Sequence, residues 1–310
     1  MAALASVPAL AAATIAAAQD GSEQSTQGTE WWPLAAWSVA AVLAVAAIAR
    51  VPWLRAMPRV GPAWPLRAEP SVLCFGAAFL ATAIGAAAAT TAFRIDDASP
   101  ALARTVASSI GVHAAQLAVV GAALLVPAFR TRGASSVAGR GGVHRQPRGR
   151  AESVALAIAF AALLWPIAQA AGGIAGAIET WFGGARPALG HATLEAMSAS
   201  GTTDPWWWGA VASAVLLAPL AEELAYRGLL QQGLKATGLP TWLAVTLTSA
   251  LFALMHWSAL TDGARAAGLV TLFALSAGWG ALLERSGRIS AAVIAHALFN
   301  AANLFAAQQA

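Results

Sequence analysis

Three short stretches hold most of the ionisable and amide side chains that lie inside apolar runs. The first, residues 218–228, reads Ala-Pro-Leu-Ala-Glu-Glu-Leu-Ala-Tyr-Arg-Gly and carries Glu222, Glu223 and Arg227. Each charge at the centre of a membrane helix costs roughly 2.5–3.5 kcal/mol on insertion scales. Three of them together must therefore face a bundle interior or a wet cavity. Glu223 and Arg227 are four residues apart, so one helix face can carry their ion pair. Glu222 is rotated from Glu223 by about 100°, so one carboxylate can be held by the arginine while the other is left to titrate. Pro219 has no N–H, which predicts that the carbonyl of Val215 loses its helical partner and that the helix opens near the glutamates. Tyr226, the single tyrosine, sits in the same turn.

The second stretch ends Phe252-Ala-Leu-Met-His256-Trp257, which puts Phe252 and His256 on one face. The third, residues 295–303, pairs His296 with Asn300 at i,i+4 and adds Asn303. Taken singly, each has a plain structural reading. A Glu–Arg pair can lock two helices, a histidine at a span end can be interfacial, and a His–Asn pair can bridge helices. Their concentration in three late runs argues for a joint site. His113 is an isolated exception in an earlier run and is read as a structural hydrogen-bonding histidine; His144 and His191 fall in loops.

The elements that must position these groups follow from composition. Of 310 residues, 58% are hydrophobic and 10% charged, against about 25% charge in soluble domains. Disorder is excluded and a soluble enzyme nearly so. A helix needs about 20 apolar residues to cross the hydrocarbon. Such runs occur at 32–49, 71–93, 106–128, 153–178, 207–231, 241–258, 266–283 and 289–307. The expected fold is all-α, a polytopic helical membrane protein with about eight transmembrane helices.

Three regions are expected: 1–30, signal-like or disordered; 31–151, three spans and an Arg-rich loop; and 152–310, a five-helix core. The Ala-rich start ends in Ala16-Ala17-Ala18-Gln19, resembling a cleavage site, but no Lys or Arg precedes it, so cleavage stays open. With the acidic 19–30 segment outside, thirteen Lys and Arg fall in inner loops and four in outer ones. That asymmetry predicts a multi-pass protein of the cell membrane with both termini outside. The same clustering explains the basic balance by orientation and gives no reason to expect nucleic acid. Cys74 is the single cysteine, so no intramolecular disulfide exists. Tryptophans such as Trp31, Trp206, Trp242 and Trp257 fall at span ends, and Gly172 with Gly176 marks close helix packing.

In order and helix placement, Glu222-Glu223-x-x-x-Arg227, Phe252-x-x-x-His256 and His296-x-x-x-Asn300 resemble the three motifs of the CPBP intramembrane proteases. That family includes the type II CAAX prenyl endopeptidases and bacteriocin self-immunity proteins. The resemblance covers roughly residues 207–304 and leaves the first three spans unmatched. It implies an endopeptidase acting near the C-terminus of a membrane-associated or lipidated protein or peptide. Glu222 is then the base that activates water, His256 positions that water, and Glu223 is held by Arg227. His296 and Asn300 polarise the scissile carbonyl.

Zinc is weighed as a cofactor through His256, His296 and Glu222, since two histidines and a glutamate can leave an open position on the ion. The compact His-Glu-x-x-His spacing is absent, and a glutamate-activated water suits the same residues equally. Two other functions compete: a non-catalytic scaffold or immunity factor, and a proton or cation transporter, for which no inverted repeat is visible. The run boundaries also put Glu222 and His256 about 15 Å apart along the membrane normal. Catalysis requires the fifth span to extend to about residue 235, with tilted and offset helices.

Overall fold

The computed structural model describes residues 32–55, 64–130, 148–182 and 191–308. The signal-like segment, most of the Arg-rich loop and His144 lie outside the described residues. Among the described residues, eight helices are long and apolar enough to cross a membrane, matching the eight runs: α1 (Trp32–Arg50), α2 (Ala68–Ala92), α3 (Ala101–Leu125), α4 (Arg150–Trp181), α6 (Pro205–Ala236), α7 (Thr241–Met255, prolonged by a turn at Trp257–Ala259), α8 (Arg265–Ser286) and α9 (Ile289–Gln308). A short helix, α5 (Ala192–Ser200), lies in the connection before α6. Among the described residues no strand forms; two isolated bridges join Leu66 to Arg130 and His191 to Leu260.

The main core gathers where α4, α6, α7, α8 and α9 meet, around Leu156, Phe160, Ala225, Phe252, Trp279 and Ala295. The outer faces of α1 and α2 remain exposed, with Val42, Leu43, Leu73 and Leu80 all pointing outward. Helices in a bilayer gain little by hiding leucine from lipid, so close contacts rely on small residues. Gly85 and Gly111 meet backbone to backbone: a Cβ on Gly85 would stand 2.2 Å from the Gly111 carbonyl oxygen. Gly172, expected to mark such a contact, brings α4 against Thr271 of α8, where a Cβ would meet Oγ1 at 2.3 Å.

α6 explains how the glutamates reach the core. It runs unbroken to Ala236, as the depth argument required, but it is not uniformly α-helical. It widens to a five-residue hydrogen-bond register over Ser213–Leu217 and again over Glu223–Gln231. Such wide turns rotate the side chains that follow and recur at functional sites. The first one lies just before Pro219. Ala218 N–H donates to Ser213 O, so the next five-residue bond would need an N–H on Pro219, which has none. The carbonyl left over is thus that of Ala214. The expectation for Val215 counted in a four-residue register and misses by one residue for that reason.

Candidate active site

Each late span delivers one face of the site. On α6, Glu223 is fully buried and pairs with the equally buried Arg227, Oε2 to Nε at 3.1 Å. Arg227 also donates through Nη2 to the carbonyl (2.9 Å) and hydroxyl (2.8 Å) of Ser276 on α8. Its guanidinium lies over the rings of Phe252 and Trp279. A planar cation flanked by aromatic faces and bonded at its edges is well matched to burial.

The second oxygen of Glu223 faces His296 Nδ1 at 3.0 Å. Trp279 stacks flat on the His296 ring, centroids 3.8 Å apart, and so fixes its plane. On α7, His256 caps the helix end and its Nδ1–H donates to Phe252 O at 2.7 Å. Phe252 is the aromatic hub of the motif, packing its edge or face on Tyr226, His256, Trp279 and His296.

These bonds occupy Nδ1 of both histidines and leave Nε2 of each turned toward Glu222. Nε2 of His256 is 4.0 Å from Glu222 Oε1, and Nε2 of His296 is 3.9 Å from Oε2. Such separations are too long for a direct hydrogen bond. Each fits one water in contact with both groups at about 2.8 Å. The Glu222 side chain is 13% exposed and that of His256 is 22% exposed, whereas Glu223 and Arg227 are sealed. The two neighbouring carboxylates thus differ as the i,i+4 reasoning anticipated: one is tied to a cation and an imidazole, the other faces the opening.

Asn300 is placed differently from a free carbonyl ligand. Its Nδ2 donates to Ala214 O at 2.8 Å, the backbone acceptor that Pro219 leaves without a helical partner. A primary amide carries two N–H groups, so this bond uses one of them.

His113, read as an isolated structural hydrogen-bonding histidine, does form hydrogen bonds but is not isolated from the other polar groups. α3 brings its Nε2 to 3.4 Å from Glu222 Oε1, the shortest approach of any histidine to that carboxylate. Its Nδ1 is 3.3 Å from Ser109 Oγ, which in turn lies 2.9 Å from Ser213 Oγ on α6. A signal was available in the sequence: Ser109 and His113 form an i,i+4 polar pair in an apolar span, as His296 and Asn300 do.

His191, in the connection before α5, also belongs near the site. Its backbone pairs with Leu260, four residues past His256, and its Nδ1 accepts the N–H of Thr193 to cap α5. Burial, with the nearby His256 adding to it, pushes its imidazole down to about 4.

The residues weighed as zinc ligands, His256, His296 and Glu222, are not spaced as a ligand set. Among the described residues no group of three His, Cys, Asp or Glu is placed to hold an ion. Two donors on one tetrahedral zinc stand about 3.4 Å apart, given bonds of about 2.0–2.2 Å. Both histidine nitrogens are farther from Glu222 than that.

Residues 204–302 match the family model described as type II CAAX prenyl endopeptidase Rce1-like. The match spans α6 to most of α9 and bears out the resemblance carried by the three motifs. Neither the curated proteins nor the solved structures contain a match to this chain.

Proposed function

We propose that this chain, a multi-pass membrane protein that belongs to the CPBP/CAAX protease family through residues 204–302, hydrolyses a peptide bond with water activated by Glu222. The observation that supports this reading is the split between the two carboxylates. Glu223 is neutralised by Arg227 and His296, while Glu222 faces Nε2 of His256 and His296 at water-bridging distance.

Glu222 takes a proton from that water as its oxygen attacks the scissile carbonyl carbon. Nε2 of His256 keeps the water oriented. The C–O bond forms, the carbonyl π pair moves onto oxygen, and the oxyanion is met by the second N–H of Asn300 and by Nε2–H of His296 in its doubly protonated form, the form that can donate at Nε2 while Nδ1–H is held by Glu223. Collapse of this intermediate breaks the C–N bond, and the proton held by Glu222 passes to the leaving amine. General base catalysis of this kind contributes about 10²–10⁴-fold, and one oxyanion donor about 10²–10³-fold.

The substrate class is a membrane-associated or lipidated protein or peptide, cut near its C-terminus. The bilayer itself is the other partner. In the orientation set by loop charge, both termini lie outside the cell membrane, as does the end of α7 that carries His256. A tag at the C-terminus reached by an impermeant label on whole cells checks that orientation.

The decisive test is incubation of purified protein with a farnesylated peptide carrying three residues after the modified cysteine, beside the same peptide without the lipid. Cleavage by the wild type and its loss in Glu222→Gln support the reading. Full function of Glu222→Gln in cells would instead assign the fold a scaffold or immunity role.

A further inference from the structure

α3 lies outside the matched residues 204–302, yet it supplies the side chain closest to Glu222 among the three surrounding histidines. The contacts form a chain that leaves α6 and returns to it: Ser213 Oγ to Ser109 Oγ at 2.9 Å, Ser109 Oγ to His113 Nδ1 at 3.3 Å, and His113 Nε2 to Glu222 Oε1 at 3.4 Å. The direction of this chain follows from its end. An ionised carboxylate can only accept, so His113 must carry a proton on Nε2. A neutral ring then accepts at Nδ1, which makes Ser109 the donor there and Ser213 the donor to Ser109. Ser109 thus gives one hydrogen bond and receives one, and Ser213 gives the first.

Glu222 needs such a brace. The arginine of its own helix is already engaged by Glu223, and the wide turn that begins at the next residue alters the direction of the side chains after it. A glutamate side chain without a partner samples several rotamers, only some of which face the histidines.

We propose that His113 is a positioning residue for the reaction: its Nε2–H, oriented through Ser109 and Ser213, holds Glu222 in the rotamer that faces His256 and His296. The proposal rests on the reading of Glu222 as the base. It assigns the otherwise unmatched third span a part in the chemistry.

Nitrogen NMR of the full chain, labelled at histidine and purified in detergent, tests the arrangement without any substrate. The signals lost in His113→Gln are expected to be those of a neutral ring protonated at Nε2. They should shift in both Ser109→Ala and Glu222→Gln, two variants that keep the ring in place. A ring protonated at Nδ1 alone, or one that does not respond to Glu222→Gln, overturns the proposal.

Kinetics on the farnesylated peptide supply the second readout. His113→Phe is expected to lower kcat about 10–100-fold, the range for lost orienting bonds to an active side chain, with KM unchanged. His113→Gln, which retains an N–H donor, should recover most of that loss. Unchanged kcat in a folded His113→Phe, or a loss carried by KM, overturns the positioning role. Full activity of Glu222→Gln would remove the base reading and leave the NMR result standing, so the two failures are distinguishable.

Discussion

His296 and Glu223 join two helices through one contact, Nδ1 to Oε1 at 3.0 Å, while Arg227 holds the other oxygen of the same carboxylate at 3.1 Å. Arginine, glutamate and histidine therefore form one buried line from α6 to α9. Glu223 sets the orientation of the His296 imidazole, and Arg227 is the buried counter-ion of Glu223. Removing the middle member leaves a fully buried guanidinium without its counter-ion.

Glu223→Ala is expected to destabilise the protein by about 3–5 kcal/mol, the cost of breaking a buried pair from one side. Glu222→Gln, in the partly open position, should leave the unfolding midpoint close to wild type. Thermal unfolding of both variants in the same detergent checks the contrast. Equal midpoints would mean that the two glutamates are not divided as the distances indicate.

The amide of Asn300 and the missing N–H of Pro219 act on the same acceptor, Ala214 O. Asn300→Ala leaves a partly buried carbonyl unpaired and should cost about 1 kcal/mol, the low end for an unmet buried acceptor. Pro219→Ala restores an N–H within reach of that carbonyl. The double variant should therefore lose less stability than the two single variants summed, a coupling that a double-mutant cycle measures directly. Strict additivity would show that the two groups do not share the acceptor.

His191 imparts a pH dependence to stability. Its imidazole is held down to about 4 by burial, whereas an unfolded histidine titrates near 6.5. Between these values the unfolded chain binds the extra proton, so stability is full above about pH 6.5 and declines as pH falls toward 4. Protonation also removes the Nδ1 lone pair that caps α5, an interaction of the kind worth about 1 kcal/mol. His191→Asn keeps a capping side chain that does not titrate. Its unfolding midpoint should fall less steeply than that of wild type across this pH range, as a midpoint-against-pH series would show.

If water is activated by Glu222 alone, the protein stripped by a strong chelator should cleave the farnesylated peptide at the wild-type rate. A reproducible loss restored by one added divalent ion would show that the histidines and Glu222 close on a metal during turnover.

Much of this protein is legible in one dimension. Apolar runs of span length give the eight helices because the bilayer leaves a helix no other way to satisfy its backbone. The spacing of Glu223 with Arg227 and of Phe252 with His256 gives their pairing, since helical periodicity places i and i+4 on one face. The exclusion of Glu222 from the arginine pair follows from the same geometry.

Only the tertiary structure decided which faces meet. His113 stands 109 positions before Glu222 in the chain, and nothing in local periodicity records that α3 packs against the opened turn of α6. The shift from Val215 to Ala214 depends on a wide turn over Ser213–Leu217, and the Asn300 amide that meets Ala214 O comes from another helix. His191 is a loop residue, as its position indicates, but its place near His256 comes with a bridge to Leu260, formed once two connections lie side by side. Spacing along a helix is a local property of the chain; contact between helices is settled by how their surfaces fit.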